Sequence, residues 1–299
     1  MICKDRVVIV TGAGRGLGRA HALEFARQGA AVVVNDIGVG LDGSGGSSGP
    51  ADEVVAEIRA LGGKAVAAPY DIATSGGAEA LVRTALDTFG RLDTLVCNAG
   101  FLRDRMLVNL SEEEWDAVAR VHLKGHFLPL KHAGLHWRAE AKAGRPGTGR
   151  VVTTSSGAGL LGSVGQGNYA AAKAGIVGLT LVAAAELGRY GVLVNAIAPA
   201  ARTRMTEQVF AATMAAPEDG GFDVMAPENV SPLVAWLGSA GCDVTGRVFE
   251  VEGGRVCVME GFRHGPAADK GARWDPAEVG PVVHGLLADA APPEPVYGA

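Results

Sequence analysis

A doubly wound α/β fold, a parallel sheet of about seven strands with helices on both faces, is predicted by three features of the sequence. Short runs of β-branched and apolar residues recur at 7–10, 31–35, 65–70, 94–97, 150–154, 192–196 and 247–251, with segments of helical period between them. The runs are close to continuously apolar, the pattern of strands covered on both faces. The first run leads directly into T-G-A-G-R-G-L-G at 11–18, which opens a helix, and the second ends in an acid, Asp36.

Composition narrows the class. Of 299 residues, 48% are hydrophobic and 20% charged, with a net charge of −5, as in a globular chain able to bury a large core. Mild acidity without a basic run argues against nucleic acid or an anionic membrane as partner. No uninterrupted apolar run approaches the ~18 residues of a membrane span. The chain enters a strand-like run by Val7 with no signal peptide, so a cytoplasmic setting is expected. Cys3, Cys97, Cys242 and Cys257 are scattered and form no C-x-x-C pair, which fits a reducing compartment. The expected organisation is one domain over 1–254 and an extension over 255–299.

Taken in order, the run at 7–10 is the first strand. In the turn after it, Gly12, Gly16 and Gly18 let the backbone bend sharply and approach a pyrophosphate. Free amides at the helix start, around Arg15 and Leu17, are suited to bind the phosphates. Ala22, Phe25, Ala26 and Gly29 form the helix's apolar stripe. Strand, glycine turn, helix, strand and terminal acid make a dinucleotide-binding unit. Asp36 is placed to hydrogen-bond a ribose diol and to repel a 2′-phosphate, which favours NAD over NADP. Arg15 pulls the other way: it either pairs with that phosphate or is a solvated loop charge. The insert at 38–50 is Gly/Ser-rich and reads as a mobile surface loop near the adenine end.

A helix at 51–61 and the strand at 65–70 lead to Asp71 and Ile72. This strand end faces the same crevice, so Asp71 is either an acceptor for the adenine amino group or a helix-start or turn Asp. Helix 77–89 and strand 94–97 lead to Asn98, Ala99 and Gly100, small residues that leave room for a cofactor against the backbone. Cys97 reads as a buried packing thiol. Ser111 and Glu114 form a capping box for a helix beginning at Glu112. That helix carries His122, His126, Pro129, His132 and His136. Both histidine pairs have i, i+4 spacing, but no Cys or carboxylate stands at zinc-site spacing nearby, so no metal is expected. Pro129 is expected to kink or divide the helix.

The stretch 151–175 carries the chemistry. Ser156 follows the strand at 150–154, and Tyr169 and Lys173 stand four residues apart on an Ala-rich helix at 169–190. Helical i, i+4 positions share a face. An unperturbed Tyr, with pKa ~10, is ~0.1% ionised at pH 7. A nearby cation favours the phenolate and makes it a usable acid/base. The helix is apolar around most of its circumference, which predicts burial against the sheet on one side and a second subunit on the other; a dimer or tetramer is expected. After strand 192–196, Pro199 and Thr203 open a long segment that reads as a substrate lid over 202–227. Helix 231–239 and strand 247–251 complete the sheet. The tail from Gly254 reads as irregular, with a short helix at 276–287 and a frayed, Pro-rich end.

Together, T-G-x-x-x-G-x-G from Thr11, N-A-G from Asn98, the trio Ser156, Tyr169 and Lys173, and Pro199 with Thr203 resemble the short-chain dehydrogenase/reductase family over roughly 4–254. V-V-V-N-D-I-G, L-R-D-R-M, V-H-L-K-G-H-F, G-Q-G-N-Y-A-A-A-K-A-G and N-A-I-A-P-A-A-R-T-R-M resemble its (3R)-hydroxyacyl-CoA dehydrogenase branch, the dehydrogenase part of peroxisomal multifunctional enzyme type 2. The resemblance implies a Rossmann-type fold, with Tyr169 as general acid/base and Lys173 lowering its pKa and holding the nicotinamide ribose. It implies that Ser156 orients the substrate oxygen and that His122 stands in a proton relay where the family usually has Asn. Cofactor contacts are implied at Gly12, Arg15, Gly16, Leu17, Gly18, Asp36, Asp71, Ile72, Asn98, Ala99, Gly100, Tyr169, Lys173, Pro199 and Thr203. The implied activity is NAD-dependent interconversion of a secondary alcohol and a ketone, with 3-hydroxyacyl-CoA as substrate. Steroid alcohols and acyl-carrier-protein-linked 3-oxoacyl groups are the alternatives within the same chemistry, and an NAD-binding protein without turnover is a third reading. For a CoA substrate, cations at Arg103, Arg105, Arg202 or Arg204 are expected to meet its phosphates.

Overall fold

The computed structural model describes residues 1–39, 46–145, 147–203, 214–217 and 220–298. Residues 40–45 of the insert at 38–50 and much of the expected lid, including Arg204, lie outside the described residues. The strands are β1 (Val7–Thr11), β2 (Ala31–Asn35), β3 (Lys64–Ala67), β4 (Thr94–Cys97), β5 (Arg150–Thr154), β6 (Leu193–Ala200), β7 (Val248–Glu252) and β8 (Arg255–Met259). They form one sheet in the order β3-β2-β1-β4-β5-β6-β7-β8. β1 to β7 pair in parallel and β8 is antiparallel to β7.

Side chains alternate across this sheet and divide the core in two. Val8, Val10, Val32, Val34, Val96 and Ile197 face α1 (Gly16–Arg27), α2 (Gly49–Ala60) and α8 (Ser231–Leu237), where Phe25, Ile58 and Leu237 meet them. Val7, Ile9, Val33, Leu95, Val151 and Val194 face α3 (Ser75–Phe89), α5 (Gly125–Lys142) and α7 (Gly167–Leu187), which contribute Leu81, Trp137 and Ala184. Neither face of a central strand meets water, hence the unbroken apolar runs. β1 lies between β2 and β4, so the chain order reverses beside it and the turns after β1 and β4 open a crevice at the strand ends.

Three expectations are corrected. The sheet has eight strands where about seven were expected, because the segment after Gly254 is a strand and not irregular coil. A two-residue Gly253-Gly254 turn joins Glu252 to its partner Arg255, and Gly253 sits at φ 51°, the conformation such a hairpin turn demands. Pro129 does not divide its helix: α5 runs through it to Lys142. The irregularity falls one turn earlier, where α4 (Glu112–Ala119) passes into a π-helical segment, Arg120–Lys124, and the Gly125 amide reaches back to the Arg120 carbonyl. A proline lacks the amide that its i−4 carbonyl would use, and the widened turn ahead of it absorbs the mismatch. β6 extends beyond 196 to take in Pro199, which pairs opposite Val251 and is part of the sheet. The capping box is as expected, with Ser111 accepting from the Glu114 amide and Glu114 from that of Ser111.

Candidate active site

The turn after β1 and the end of β4 meet at the crevice. Gly12 has φ +61°, and a Cβ there would stand 2.7 Å from the Ala99 Cα, so only glycine permits this approach. Asn98 locks the two together: its side-chain amide donates to the Thr11 and Gly12 carbonyls at 3.1 and 3.2 Å, and its backbone amide donates to the Thr11 hydroxyl at 2.9 Å. The N-cap residue Arg15 makes no side-chain cap to α1, whose first-turn amides are suited to an anion. Asp36 accepts from the Gly14 amide at 2.9 Å and the Gly38 amide at 2.7 Å, fixing the carboxylate at the crevice wall.

These groups enclose a cavity of about 370 Å³, lined by Gly12, Arg15, Gly16, Leu17, Gly18, Asp36, Ile37, Asp71, Ile72, Asn98, Ala99, Gly100, Phe101, Arg103 and Thr203, among others. That is the size range of small-ligand pockets. A glycine cradle, open helix amides, an acid at the strand end and apolar Ile37 and Ile72 fit a dinucleotide. Of the sequence-predicted cofactor contacts, all line the cavity except Tyr169, Lys173 and Pro199. Asp71 is engaged: one oxygen pairs with Arg120 at 2.5 Å and the other accepts the Ala73 amide at 2.9 Å, the turn role left open for it.

Ser156, Tyr169 and Lys173 come together beside this cavity. β5 ends at Thr154, and Ser156 opens the short helix α6 (Gly157–Leu161), accepting the Ala158 amide at 3.2 Å. Ser156 is also the neighbour that favours ionisation of the Tyr169 phenol. Lys173 is buried, and its ammonium donates to the Thr154 carbonyl at 2.6 Å and lies 5.5 Å from the centre of the Tyr169 ring. Ser155 donates to the Lys173 carbonyl at 2.9 Å, pinning α7 to the end of β5.

The electrostatics differ from the sequence expectation. Lys173 was expected to lower the Tyr169 pKa, yet in the protein alone burial raises it, offset in part by the neighbouring Ser156 side chain. Desolvation brings Lys173 itself down to about 7. Both groups are held in dry surroundings, which penalise each charged form, and the ammonium is tied to a carbonyl instead of the phenol oxygen.

His122 sits in the centre of the π-helical segment and is buried. Its Nε2 lies 2.7 Å from the Phe101 carbonyl, and its ring stands edge-on to Tyr169 with centroids 5.2 Å apart. Burial and then the field of Lys173 lower its pKa to about 3, so it is neutral. It links the trio to the cavity, because Gly100 and Phe101, on which it rests, line that cavity. Cys97 is a buried thiol pushed up to about 12 by desolvation, as its packing role requires. Phe101, Thr154 and Ser155 were not singled out from the sequence. Two of them act through backbone carbonyls, which carry no residue signature, and the T-T-S-S run at a strand end was the one available sign.

Of the cations considered for CoA phosphates, Arg103 lines the cavity and lies over the Phe101 ring at 5.1 Å. Arg105 pairs with Glu114 at 3.3 Å, and Arg202 pairs with Asp223.

Comparison with known proteins agrees with this geometry. The family model described as short chain dehydrogenase matches residues 6–213. Hydroxyacyl-CoA dehydrogenase ChsB1 of Mycobacterium tuberculosis is 48% identical over 279 residues, covering 92% of this chain and 86% of the relative. Peroxisomal multifunctional enzyme type 2 of Mus musculus is 49% identical over 251 residues, covering 84% of this chain but 32% of that longer protein. A crystal structure of a short chain dehydrogenase from Mycobacterium avium superposes with a TM-score of 0.90 at 62% identity, over 100% of both chains. By family model, sequence and fold, this chain belongs to the short chain dehydrogenase family and is an oxidoreductase of CH–OH groups that uses a nicotinamide cofactor.

Proposed function

We propose that the chain is an NAD-dependent 3-hydroxyacyl-CoA dehydrogenase that interconverts a 3-hydroxyacyl and a 3-oxoacyl thioester. The observation that carries this reading is the Ser156, Tyr169 and Lys173 cluster beside the glycine-lined cavity, in a chain that matches a hydroxyacyl-CoA dehydrogenase over 86% of that relative's length. Asp36 at the cavity wall supports NAD over NADP. Gly12, Gly16, Gly18 and the α1 amides would hold the pyrophosphate, and Asp36 the adenosine ribose. When bound, the nicotinamide supplies the hydride acceptor or donor. The chain's own residues then handle the proton. Ser156 donates to the substrate oxygen and orients it. Tyr169 takes the hydroxyl proton at its phenol oxygen in oxidation and returns it in reduction. Lys173, fixed by the Thr154 carbonyl, supplies the positive charge that favours phenolate during turnover. His122, neutral and edge-on, keeps the Tyr169 ring in place.

Assembly is the second part of the proposal. Phe127 and Leu135 of α5 and Leu181 and Val182 of α7 are exposed apolar side chains. Phe127, Leu135 and Val182 line one groove between the two helices. This surface supports a homo-oligomer built on the outer faces of α5 and α7.

The test of the activity is a panel of 3-hydroxyacyl-CoAs and steroid alcohols with NAD and NADP in parallel, followed by NADH or NADPH absorbance. Expected are turnover of the acyl-CoAs, a kcat/KM for NAD at least ~10-fold above that for NADP, and a narrowing of that ratio in Asp36→Ala, since a charged hydrogen bond contributes ~1.5–3 kcal/mol. Higher kcat/KM on steroid alcohols than on every acyl-CoA would replace this reading with the steroid one.

A further inference from the structure

The tail beyond the matched family segment comes back to the catalytic serine. Residues 292–298 follow the exposed helix α9 (Pro276–Asp289) and dock on the segment after Ser156. The Tyr297 amide donates to the Gly162 carbonyl at 3.2 Å, and the Val164 amide donates to the Tyr297 carbonyl at 2.9 Å. Val296 packs on Gly162, where a Cβ would stand 3.3 Å from its Cγ1. The Tyr297 ring lies directly on Gly157: a Cβ there would fall 2.9 Å from Cε2 and 3.0 Å from the phenol oxygen. The Tyr297 hydroxyl donates to Glu250 of β7 at 3.5 Å, tying the tail to the sheet.

The other side of the same short helix is closed too. A Cβ on Gly159 would stand 2.5 Å from the Lys173 Cβ, so α6 rests against α7 at the catalytic lysine. α6 is thus gripped between Lys173 on one side and Tyr297 on the other, and the tail's backbone bridge holds its far end. Five residues of helix cannot hold their own shape in water, because a first helical turn costs more order than its few hydrogen bonds return. External contacts must therefore set the position of Ser156, which caps this helix.

We propose that Tyr297 is a positioning residue: by seating its ring on Gly157 and bridging Gly162 to Val164, it fixes the α6 turn so that Ser156 faces both Tyr169 and the substrate oxygen. The proposal rests on the reading of Ser156 as the residue that orients the substrate oxygen. Tyr297 touches no reacting atom, and the ring matters more than its hydroxyl, whose bond to Glu250 is long.

Three variants test it: Tyr297→Ala, Tyr297→Phe and Gly157→Ala, with the double variant of the two alanines. Tyr297→Ala is expected to lower kcat about tenfold with an unchanged dissociation constant for NADH, since small misplacements of an orienting group cost up to ~100-fold. Tyr297→Phe retains the ring and is expected to stay within about twofold of wild type. Gly157→Ala forces the ring off its seat, and adding Tyr297→Ala removes the clash, so the two losses are expected not to add. Equal turnover in Tyr297→Ala and wild type overturns the proposal, as does a strictly additive cycle. Amide hydrogen exchange separates this outcome from failure of the substrate reading, because it needs no turnover: the amides of 158–161 are expected to exchange faster in Tyr297→Ala than in Tyr297→Phe. Unchanged exchange overturns the positioning role even where no acyl-CoA is a substrate. Should Tyr297→Ala fail to fold, Tyr297→Leu in the same exchange experiment is expected to give intermediate protection, and wild-type protection would overturn the proposal.

Discussion

At the scale of single residues, the site is a half-buried phenol and a buried amine that each resist their charge. Tyr169 is held above its ordinary pKa by burial, and Lys173 is brought down to about 7. Oxidation needs the phenolate and reduction needs the phenol. Since the raised Tyr169 pKa keeps the phenol protonated at neutral pH, alcohol oxidation is expected to rise with pH and ketone reduction to fall over the same interval. Tyr169→Phe is expected to cost ~100-fold or more in kcat while NADH still binds. Initial rates in both directions from about pH 7 to about pH 12, a window that spans a phenol raised above its ordinary value of about 10, check the oxidation and reduction limbs, and titration of NADH fluorescence checks the last. Near-wild-type turnover in Tyr169→Phe would remove the acid/base assignment. The trio was legible from residue types and spacing, but its electrostatics were not. Burial and the Thr154 carbonyl decide them, and neither is written in a four-residue spacing.

Among the elements, the π-helical segment Arg120–Lys124 does most to shape the site. It seats the His122 ring against Gly100, where a Cβ would fall 2.8 Å from Nδ1 and closer still to Cε1. Gly100 does not sit at positive φ, so the objection to a side chain there is the contact with His122. Gly100→Ala is therefore expected to push His122 toward Tyr169 and cost ~1–3 kcal/mol, the usual penalty of overpacking. Gly100→Ala with His122→Ser should recover part of that loss, because the two positions are in contact. Urea unfolding of the four variants measures both; a neutral Gly100→Ala would mean the ring has room to move. Element by element, the long buried strands and capped helices were readable because local chemistry and tertiary burial agree there. The misread elements obey rules that act between segments. Gly253-Gly254 between two apolar runs is a hairpin signal, but β8 becomes a strand only because β7 offers it an edge. Pro129 signals a break, yet the strain is taken up one turn away, where nothing in the sequence marks it.

At the scale of the whole molecule, the order reversal beside β1 explains why residues far apart in sequence share one crevice. Strand order predicts that convergence once the strands are recognised, which is why many residues that line the cavity could be named from the sequence. The outer surface follows from a different requirement. α7 carries Lys173 on the side that meets the end of β5 and Tyr169 against His122, while Leu181 and Val182 on its outer side are 49% and 55% exposed. By length and composition α7 is also apolar enough to cross a bilayer. Its contacts with β6 and its buried lysine mark it instead as a core helix with one uncovered face. Isolated exposed apolar residues are ordinary, but a face that continues onto Phe127 and Leu135 of α5 is the kind of patch a subunit covers. A two-fold arrangement sets the same patch of each copy against the other, so one substitution acts twice per interface. Leu181→Glu with Val182→Glu should leave the fold intact, since both side chains already reach solvent in one chain. In an assembly the same change places four carboxylates in a single contact, where unpaired charge is strongly unfavourable. Light scattering coupled to size exclusion is expected to give a dimer or tetramer mass for the wild type and a monomer mass for the variant, with unchanged circular dichroism. A monomeric wild type at micromolar concentration would refute the interface, and an oligomeric variant would move it to another face of the molecule.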